Sequence, residues 1–175
     1  IGGSLYSTVT DANGCSGTVP FTITQPTQLS YTSNATPATC NGVCNGQIQI
    51  NPSGGTAPYQ FSSNNGLTFS TANPMTGLCA GLINVVVQDA NGCLANSQVN
   101  ITQPASVSAN FVNTPPVCHN GCNGQSVVTP NGGTAPYQYS ANGGPLHESN
   151  NLTGICTGNA TILVQAANVC QIASV

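Results

Sequence analysis

The chain has 175 residues and almost no charge, with no Lys or Arg, three acidic residues and a formal net charge of −3. A chain without cations has no electrostatic grip on phosphate, which excludes nucleic acid as a partner, and it offers no basic patch to an anionic membrane surface. Insertion into a membrane is not expected either, since no apolar stretch approaches the roughly 18 residues of a span. Hydrophobic residues make up 39% of the sequence, which also argues against disorder.

The sequence repeats itself with a period of about 78 residues. Cys40 and Cys118 are 78 residues apart, and so are Cys15 and Cys93. Longer words return at the same offset: Gly-Gly-Thr-Ala-Pro-Tyr-Gln at 54–60 and 132–138, Asp-Ala-Asn-Gly-Cys at 11–15 and 89–93, and Ile-Thr-Gln-Pro at 23–26 and 101–104. Several words at one fixed offset indicate tandem repeats.

The repeat register divides the chain into three parts. We expect the end of one repeat at 1–26, a complete repeat at 27–104 and most of another at 105–175, with the parent sequence continuing in both directions. Pro26 and Pro104 stiffen the junctions, and hardly any linker separates them from the following strand. With strands of about nine residues rising ~3.3 Å each, every repeat should add about 30–40 Å to a rod.

Short strands and turns alternate through the complete repeat. The expected strands are, in chain order, Gln47–Ile50, Tyr59–Phe61, Ile83–Gln88 and Gln98–Thr102. The third of these places Ile83, Val85 and Val87 on one face, and the fourth turns Val99 and Ile101 inward. The segment 89–92 between them supplies a hairpin turn. Turn signals about every ten residues, without helical periodicity, predict an all-β fold of immunoglobulin-like β-sandwich repeats.

Each full repeat carries four cysteines, and the chain has nine. A repeat of this size has a small core and usually needs covalent support. Zinc bound by four thiolates is the alternative, because Cys40 and Cys44 are close in sequence. Cys79 and Cys93 lack the spacing of a zinc knuckle, so disulfides are favoured and neither a metal nor a cofactor is expected. Many cysteines in a Gly-, Asn- and Thr-rich chain favour an extracellular or cell-surface location.

The incomplete first repeat indicates how the cysteines pair. It keeps Cys15, the counterpart of Cys93, whereas Ile1 stands at the counterpart of Cys79. If those two positions paired with each other, Cys15 would have no partner. Each should therefore pair with a cysteine at the front of a repeat, and the partner of Cys15 would lie upstream. The expected disulfides, two in each repeat, are Cys40–Cys93, Cys44–Cys79, Cys118–Cys170 and Cys122–Cys156.

The remaining candidate residues predict no chemistry. Asp11 and Asp89 begin hairpin turns, where a carboxylate commonly accepts backbone N–H groups. Calcium is the alternative, but one carboxylate per repeat is too few for a hard cation, and the third repeat has Ala166 there. His119 and His147 have no counterparts in the other repeats. No Ser or Cys motif occurs together with a histidine and an acid in a plausible order. We therefore assign no catalytic residue and do not expect an enzyme.

The motifs resemble the SprB-type repeats of Bacteroidetes cell-surface and gliding-motility adhesins. The matching words are Cys-x3-Cys-Asn-Gly at 40–46, Gly-Gly-Thr-Ala-Pro-Tyr at 54–59, Thr-Gly-Leu-Cys-Ala-Gly at 76–81, Asp-Ala-Asn-Gly-Cys at 89–93 and Ile-Thr-Gln-Pro at 101–104. The resemblance implies an immunoglobulin-like fold, export through the type IX secretion system and display as long surface filaments. Two departures are the missing Trp after the Pro-Tyr strand and the lost Asp-Ala-Asn-Gly turn of the third repeat.

The leading functional hypothesis is a structural stalk or filament segment of a large secreted adhesin that serves surface attachment or gliding motility. A carbohydrate-binding module array is the first alternative, although the chain has no Trp and few other aromatic residues. A self-assembling extracellular fibre or sheath is the second, favoured by uncharged Thr, Asn and Gln faces. The expected partners are neighbouring repeats of the same protein, with lateral assembly of copies and surface polysaccharide as further candidates.

Overall fold

A computed structural model describes residues 4–174, and the regular structure in that range is all β-strand, which confirms the all-β prediction. The strands are β1 Ser4–Thr10, β2 Ser16–Thr22, β3 Ser30–Thr36, β4 Gly46–Ser53, β5 Gln60–Ser62, β6 Met75–Leu78, β7 Gly81–Gln88, β8 Leu94–Ile101, β9 Ser108–Thr114, β10 Gly124–Asn131, β11 Tyr137–Ala141, β12 Asn151–Ile155, β13 Ile162–Ala166 and β14 Gln171–Ser174. No helix within 4–174 is long and apolar enough to cross a membrane.

The sheets follow the repeat. Strands β1 and β2 form a two-stranded antiparallel hairpin. The next two sheets have the strand orders β3-β4-β6 and β5-β7-β8, and the last two have the corresponding orders β9-β10-β12 and β11-β13-β14. Two three-stranded sheets in each of these repeats are consistent with β-sandwich repeats.

Corresponding strands also share their register. Ile48 and Ile50 are buried on β4 between exposed or partly exposed neighbours, and Ser126 and Val128 are buried in the same places on β10. Because side chains alternate across a strand, a slip of one residue would reverse this pattern. The two repeats therefore fold with the same inward faces.

The core of the third repeat lies between its two sheets. Val128 and Leu152 come from one sheet, Tyr139 and Val164 come from the other, and all four belong to one buried cluster. Each large apolar side chain removed from water contributes about 1.5–3 kcal/mol. This cluster holds the hairpin turn that follows β13, because Ala166 and Cys170 are also among its members.

In the middle repeat, Val85, Val87 and Ile101 are buried as predicted, while Ile83 and Val99 are only partly buried. Val86 is buried as well, although strict alternation places it outward. The segment after β5 folds back at this place, with Phe61 and Ser70 exchanging backbone hydrogen bonds of 2.8 and 2.9 Å. This segment lies against β7, because the Asn65 N–H donates to Asn84 O at 3.3 Å and a Cβ added to Gly66 would lie 3.9 Å from Val86 Cγ2.

The chain forms two compact units. Of the described residues, one comprises 4–32, 50–72 and 84–97 and includes the β1-β2 hairpin. The other comprises residues 33–49, 73–83 and 98–174 and includes the described part of the third repeat.

Candidate functional site: the cysteine-bearing loops and turns

Cysteines occur in two kinds of segment, which we call front loops (residues 38–46 and 116–124) and hairpin turns (residues 11–15, 89–93 and 166–170). A disulfide joins each front loop to another segment of its own repeat, Cys44–Cys79 in the middle repeat and Cys122–Cys156 in the third, and both are the expected pairs. Cys79 directly follows β6 and Cys156 directly follows β12. The front loop is thereby fixed to the end of the neighbouring strand of its own sheet.

The other two expected pairs, Cys40–Cys93 and Cys118–Cys170, are contradicted. Cys40 is bonded to Cys170 of the following repeat, with 5.6 Å between their Cα atoms. Cys93 and Cys118 are free and exposed, and so is Cys15. Each of the two repeats therefore has one internal disulfide, and a further disulfide joins one repeat to the next. Ile1, on which the expected pairing depended, lies outside the described residues.

The position of the front loop along β8 explains why Cys40 does not meet Cys93. Cys93 precedes β8, whereas the front loop is held beyond its far end, since the Ala38 N–H donates to Thr102 O at 2.9 Å. The Gly42 N–H also donates to Gln103 Oε1 at 2.9 Å. The eight residues of β8 span about 26 Å, and a disulfide requires Cα atoms within about 7 Å.

The third repeat holds its hairpin turn at the same junction. The Gly133 N–H donates to Ala105 O at 2.8 Å, and the Ala167 N–H donates to Thr134 O at 2.9 Å. These two bonds tie the Gly-Gly-Thr segment to the start of the repeat and the hairpin turn to that segment. Cys170 is thereby held beside the junction to which the preceding front loop is bound through Thr102 and Gln103.

One further hydrogen bond joins the front loop to the hairpin turn. Asn168 Nδ2 donates to the carbonyl oxygen of Thr39. Cys170 Sγ lies 3.3 Å from the same oxygen, and Cys40 packs against the core of the third repeat. Thr39, Asn168 and Gln103 were not predicted to take part. Gln103 belongs to the repeated Ile-Thr-Gln-Pro word and Asn168 is the counterpart of Asn13 and Asn91 in the hairpin turns, so both had a signal in the sequence, whereas Thr39 had none.

The turn carboxylates act as expected, as acceptors for backbone N–H groups. Asp89 is buried, and its Oδ1 accepts from Asn91 at 3.0 Å and from Cys93 at 2.8 Å, while Oδ2 accepts from Thr56 at 2.9 Å. Burial alone would raise the pKa of Asp89, but the backbone N–H groups of Cys93, Thr56 and Asn91 outweigh it and hold the pKa below the ordinary value of 3.8.

Replacing Asp89 with asparagine should lower the thermal midpoint at pH 7, because the new amide must turn an N–H toward one of the three donors. A lowered pKa stabilises the fold above the ordinary value of 3.8 and ceases to do so as the pH falls through the folded-state pKa. The difference between Asp89→Asn and the unmodified chain should therefore shrink below that pH, measured by circular dichroism melts from pH 7 to pH 2.

Asp11→Asn is the matched control. Asp11 is exposed, and its Oδ1 alone accepts both turn bonds, from Asn13 at 2.9 Å and from Cys15 at 2.8 Å. The amide oxygen of asparagine can keep both, so the effect should be small at every pH. Equal losses for the two substitutions would contradict this role of Asp89.

The histidines and the remaining acid are not assembled into a metal site. His119 is exposed, and His147 pairs through its backbone with Tyr139 while its side chain is exposed. Within residues 4–174 no three His, Cys, Asp or Glu side chains are close enough to hold a metal ion. A cavity of about 480 Å³ in the third repeat is lined by Pro115, Pro116, Gln125, Ile155 and neighbouring small or polar residues, none of them aromatic or charged.

Together, the paired three-stranded sheets, the shared register and the disulfides of the front loops define a class of tandem, disulfide-bonded β-sandwich repeats. The family model of the SprB repeat matches the chain twice, at residues 32–68 and 110–146. Two segments of the chain thus match the SprB repeat, the family that the motifs predicted. The SprB repeat is a structural repeat and not an enzyme family, and it indicates a cell-surface, adhesin-like domain. The comparison with curated proteins finds no match.

Proposed function

We propose that this chain is a stalk segment of a large secreted cell-surface adhesin, in which tandem sandwiches form a filament that serves surface attachment or gliding motility. Export through the type IX secretion system is part of the same proposal. The observation that carries it is that the residues recurring between repeats perform structural tasks. The two matches to the SprB repeat support it further.

The recurring Gly-Gly-Thr-Ala-Pro-Tyr word has the same structural role in both repeats. Tyr59 donates its hydroxyl to Gly54 O at 2.7 Å, and Tyr137 donates to Gly132 O at 2.5 Å. Gly54 and Gly132 have positive φ angles of 72° and 71°. The first glycine and the tyrosine of the word thus close the same tight turn in both repeats. A ligand site present in every repeat would be expected to repeat its exposed polar groups as well.

A binding assay with the chain coupled to beads tests this proposal. The beads are incubated with soluble polysaccharides and host-type glycans and, separately, with bare glass or polymer surfaces. We expect weak adhesion to many surfaces without saturation. Saturable micromolar binding to one glycan would contradict the stalk and favour the carbohydrate-binding alternative. Such binding should then be lost in Tyr6→Ala or Gln60→Ala, both at exposed positions, and kept in Leu67→Ala, which is 82% exposed.

Self-assembly is followed in the same preparation. Light scattering and electron microscopy of the purified chain should show particles that do not grow with concentration. Ordered fibres formed by the chain alone would favour the extracellular sheath instead of the stalk.

A further inference from the structure

Three free, exposed cysteines remain beside the three disulfides: Cys15 and Cys93 in hairpin turns and Cys118 in a front loop. We propose that each of these cysteines is one of the two partners of a disulfide of the kind that joins Cys40 to Cys170. In a tandem array, the first cysteine of every front loop, the counterpart of Cys40, would be bonded to the hairpin-turn cysteine of the following SprB repeat. We call this bond the staple. The inference builds on the proposed stalk and adds a covalent connection that runs along it.

The front loops with bonded and free cysteines share one conformation. In the middle repeat, the Thr39 N–H donates to Asn45 Oδ1 at 2.9 Å. In the third repeat, the Val117 N–H donates to Asn123 Oδ1 at 3.1 Å. Cys118 is thus presented by the same asparagine-closed loop as Cys40, and the partner that fits it is the hairpin-turn cysteine of a following repeat.

The hairpin turns also match. The backbone N–H four residues before the cysteine donates to the cysteine carbonyl in all three turns, from Asp11 to Cys15 at 2.9 Å, from Asp89 to Cys93 at 3.0 Å and from Ala166 to Cys170 at 2.9 Å. The free cysteines therefore have the backbone arrangement that Cys170 has when it is bonded.

Cys93 is held at its junction as Cys170 is held at the next one. The Gly55 N–H donates to Thr27 O at 2.7 Å, and the Ala90 N–H donates to Thr56 O at 2.8 Å. These bonds are the counterparts of Gly133 to Ala105 and Ala167 to Thr134. A front loop bound at the end of the preceding repeat, as residues 38–42 are bound to Thr102 and Gln103, would bring its cysteine to Cys93.

Formation of the staple balances as ordinary thiol–disulfide exchange. The two thiols lose two protons and two electrons and form one S–S bond, while a disulfide oxidant of low molecular weight accepts them and becomes two thiols. Both cysteines of an open junction are exposed, so such an oxidant can reach them.

The staple would limit how far a pulled array can extend. From one staple to the next, the shortest covalent path runs from Cys170 to Cys156, across that disulfide to Cys122, and then to Cys118. Those two segments span about 60 Å when fully extended, whereas all 78 residues of a repeat would span about 270 Å. An unfolded repeat in the array would therefore remain a short tether.

The test uses the full chain and an extended chain in which residues 27–104 occur twice in succession. Both are oxidised with glutathione disulfide, alkylated without reduction and weighed by mass spectrometry. Pepsin at low pH then releases the linked peptides without exchange, since thiolates are absent there. Leu94→Val in the second copy marks its Cys93 peptide by mass.

If the staple forms, both chains should keep three free thiols, although the extended chain has four more cysteines. These thiols are Cys15, Cys118 and Cys93, which in the extended chain is the Cys93 of the first copy. Cys40 of the first copy should be linked to the marked Cys93. Bonds within each repeat would leave only Cys15 alkylated and would overturn the proposal. Free thiols at the first Cys40 and the marked Cys93 would also overturn it. So would covalent dimers on a non-reducing gel, because they place the partner in a second chain. None of these readouts depends on the binding assay that tests the stalk.

Discussion

Replacing both Cys122 and Cys156 with alanine should lower the free energy of unfolding of the third repeat by about 3–4 kcal/mol. The two cysteines are separated by 34 residues, and closing a loop of that length removes this much conformational entropy from the unfolded chain. The bond also fixes the front loop, which carries Cys118, to the end of β12. Urea unfolding followed by circular dichroism, without reductant, measures the loss.

Cys118→Ala is the control for that experiment. Cys118 is free and exposed, so its replacement should change the free energy of unfolding by no more than about 0.5 kcal/mol. A double variant as stable as the control would mean that the Cys122–Cys156 bond does not constrain the unfolded chain.

The strands could be predicted because their signals are local. Alternation in 83–88 identified the buried Val85 and Val87, and the repeated words identified the corresponding turns in each repeat. The burial of Val86 could not be predicted in this way. It depends on the segment after β5 folding back over β7, which is a tertiary contact with no period in the sequence.

The partner of Cys40 could not be predicted from the sequence, for a different reason. In a tandem repeat, Cys93 and Cys170 are equivalent positions, so spacing cannot decide whether Cys40 bonds to the cysteine of its own repeat or to that of the next. The choice depends on the end of β8 at which the front loop lies. That position is set by hydrogen bonds from Ala38 and Gly42 to the junction. The expectation that every disulfide closes within one repeat is therefore wrong for Cys40, which bonds to Cys170 and not to Cys93.

The turn acids were easier to interpret than the turn glycines. An aspartate at the start of a hairpin predicts its own hydrogen bonds, and Asp11 and Asp89 make them. The segment from Pro52 to Pro58, between two expected strands, indicates a turn, but not that Gly132, the counterpart of Gly54 in this turn, lies against the backbone of the preceding strand connection. Of the glycines in the third repeat, Gly132 is the one at which an added Cβ would approach another atom most closely.

Replacing Gly132 with alanine should therefore cost more than about 3 kcal/mol in the free energy of unfolding. Its φ angle is +71°, and an added Cβ would lie 2.1 Å from Ser106 O and 2.9 Å from the attached carbon, so backbone must move. That backbone is held in place, because the Tyr137 hydroxyl binds Gly132 O and the adjacent Gly133 N–H binds Ala105 O.

Gly143→Ala separates the clash from the conformational cost. Gly143 has a φ of +74° and no atom within 4 Å of an added Cβ, so alanine there should cost only the about 1–2 kcal/mol of a left-handed residue. Urea unfolding of both variants gives the comparison, and Gly54→Ala, with a Cβ 2.1 Å from Gln28 O, repeats it in the middle repeat. If Gly132→Ala and Gly143→Ala lose the same stability, the junction yields to the methyl group. The Gly-Gly word would then recur for its φ angle alone, and the close approach at the repeat junction would not constrain it.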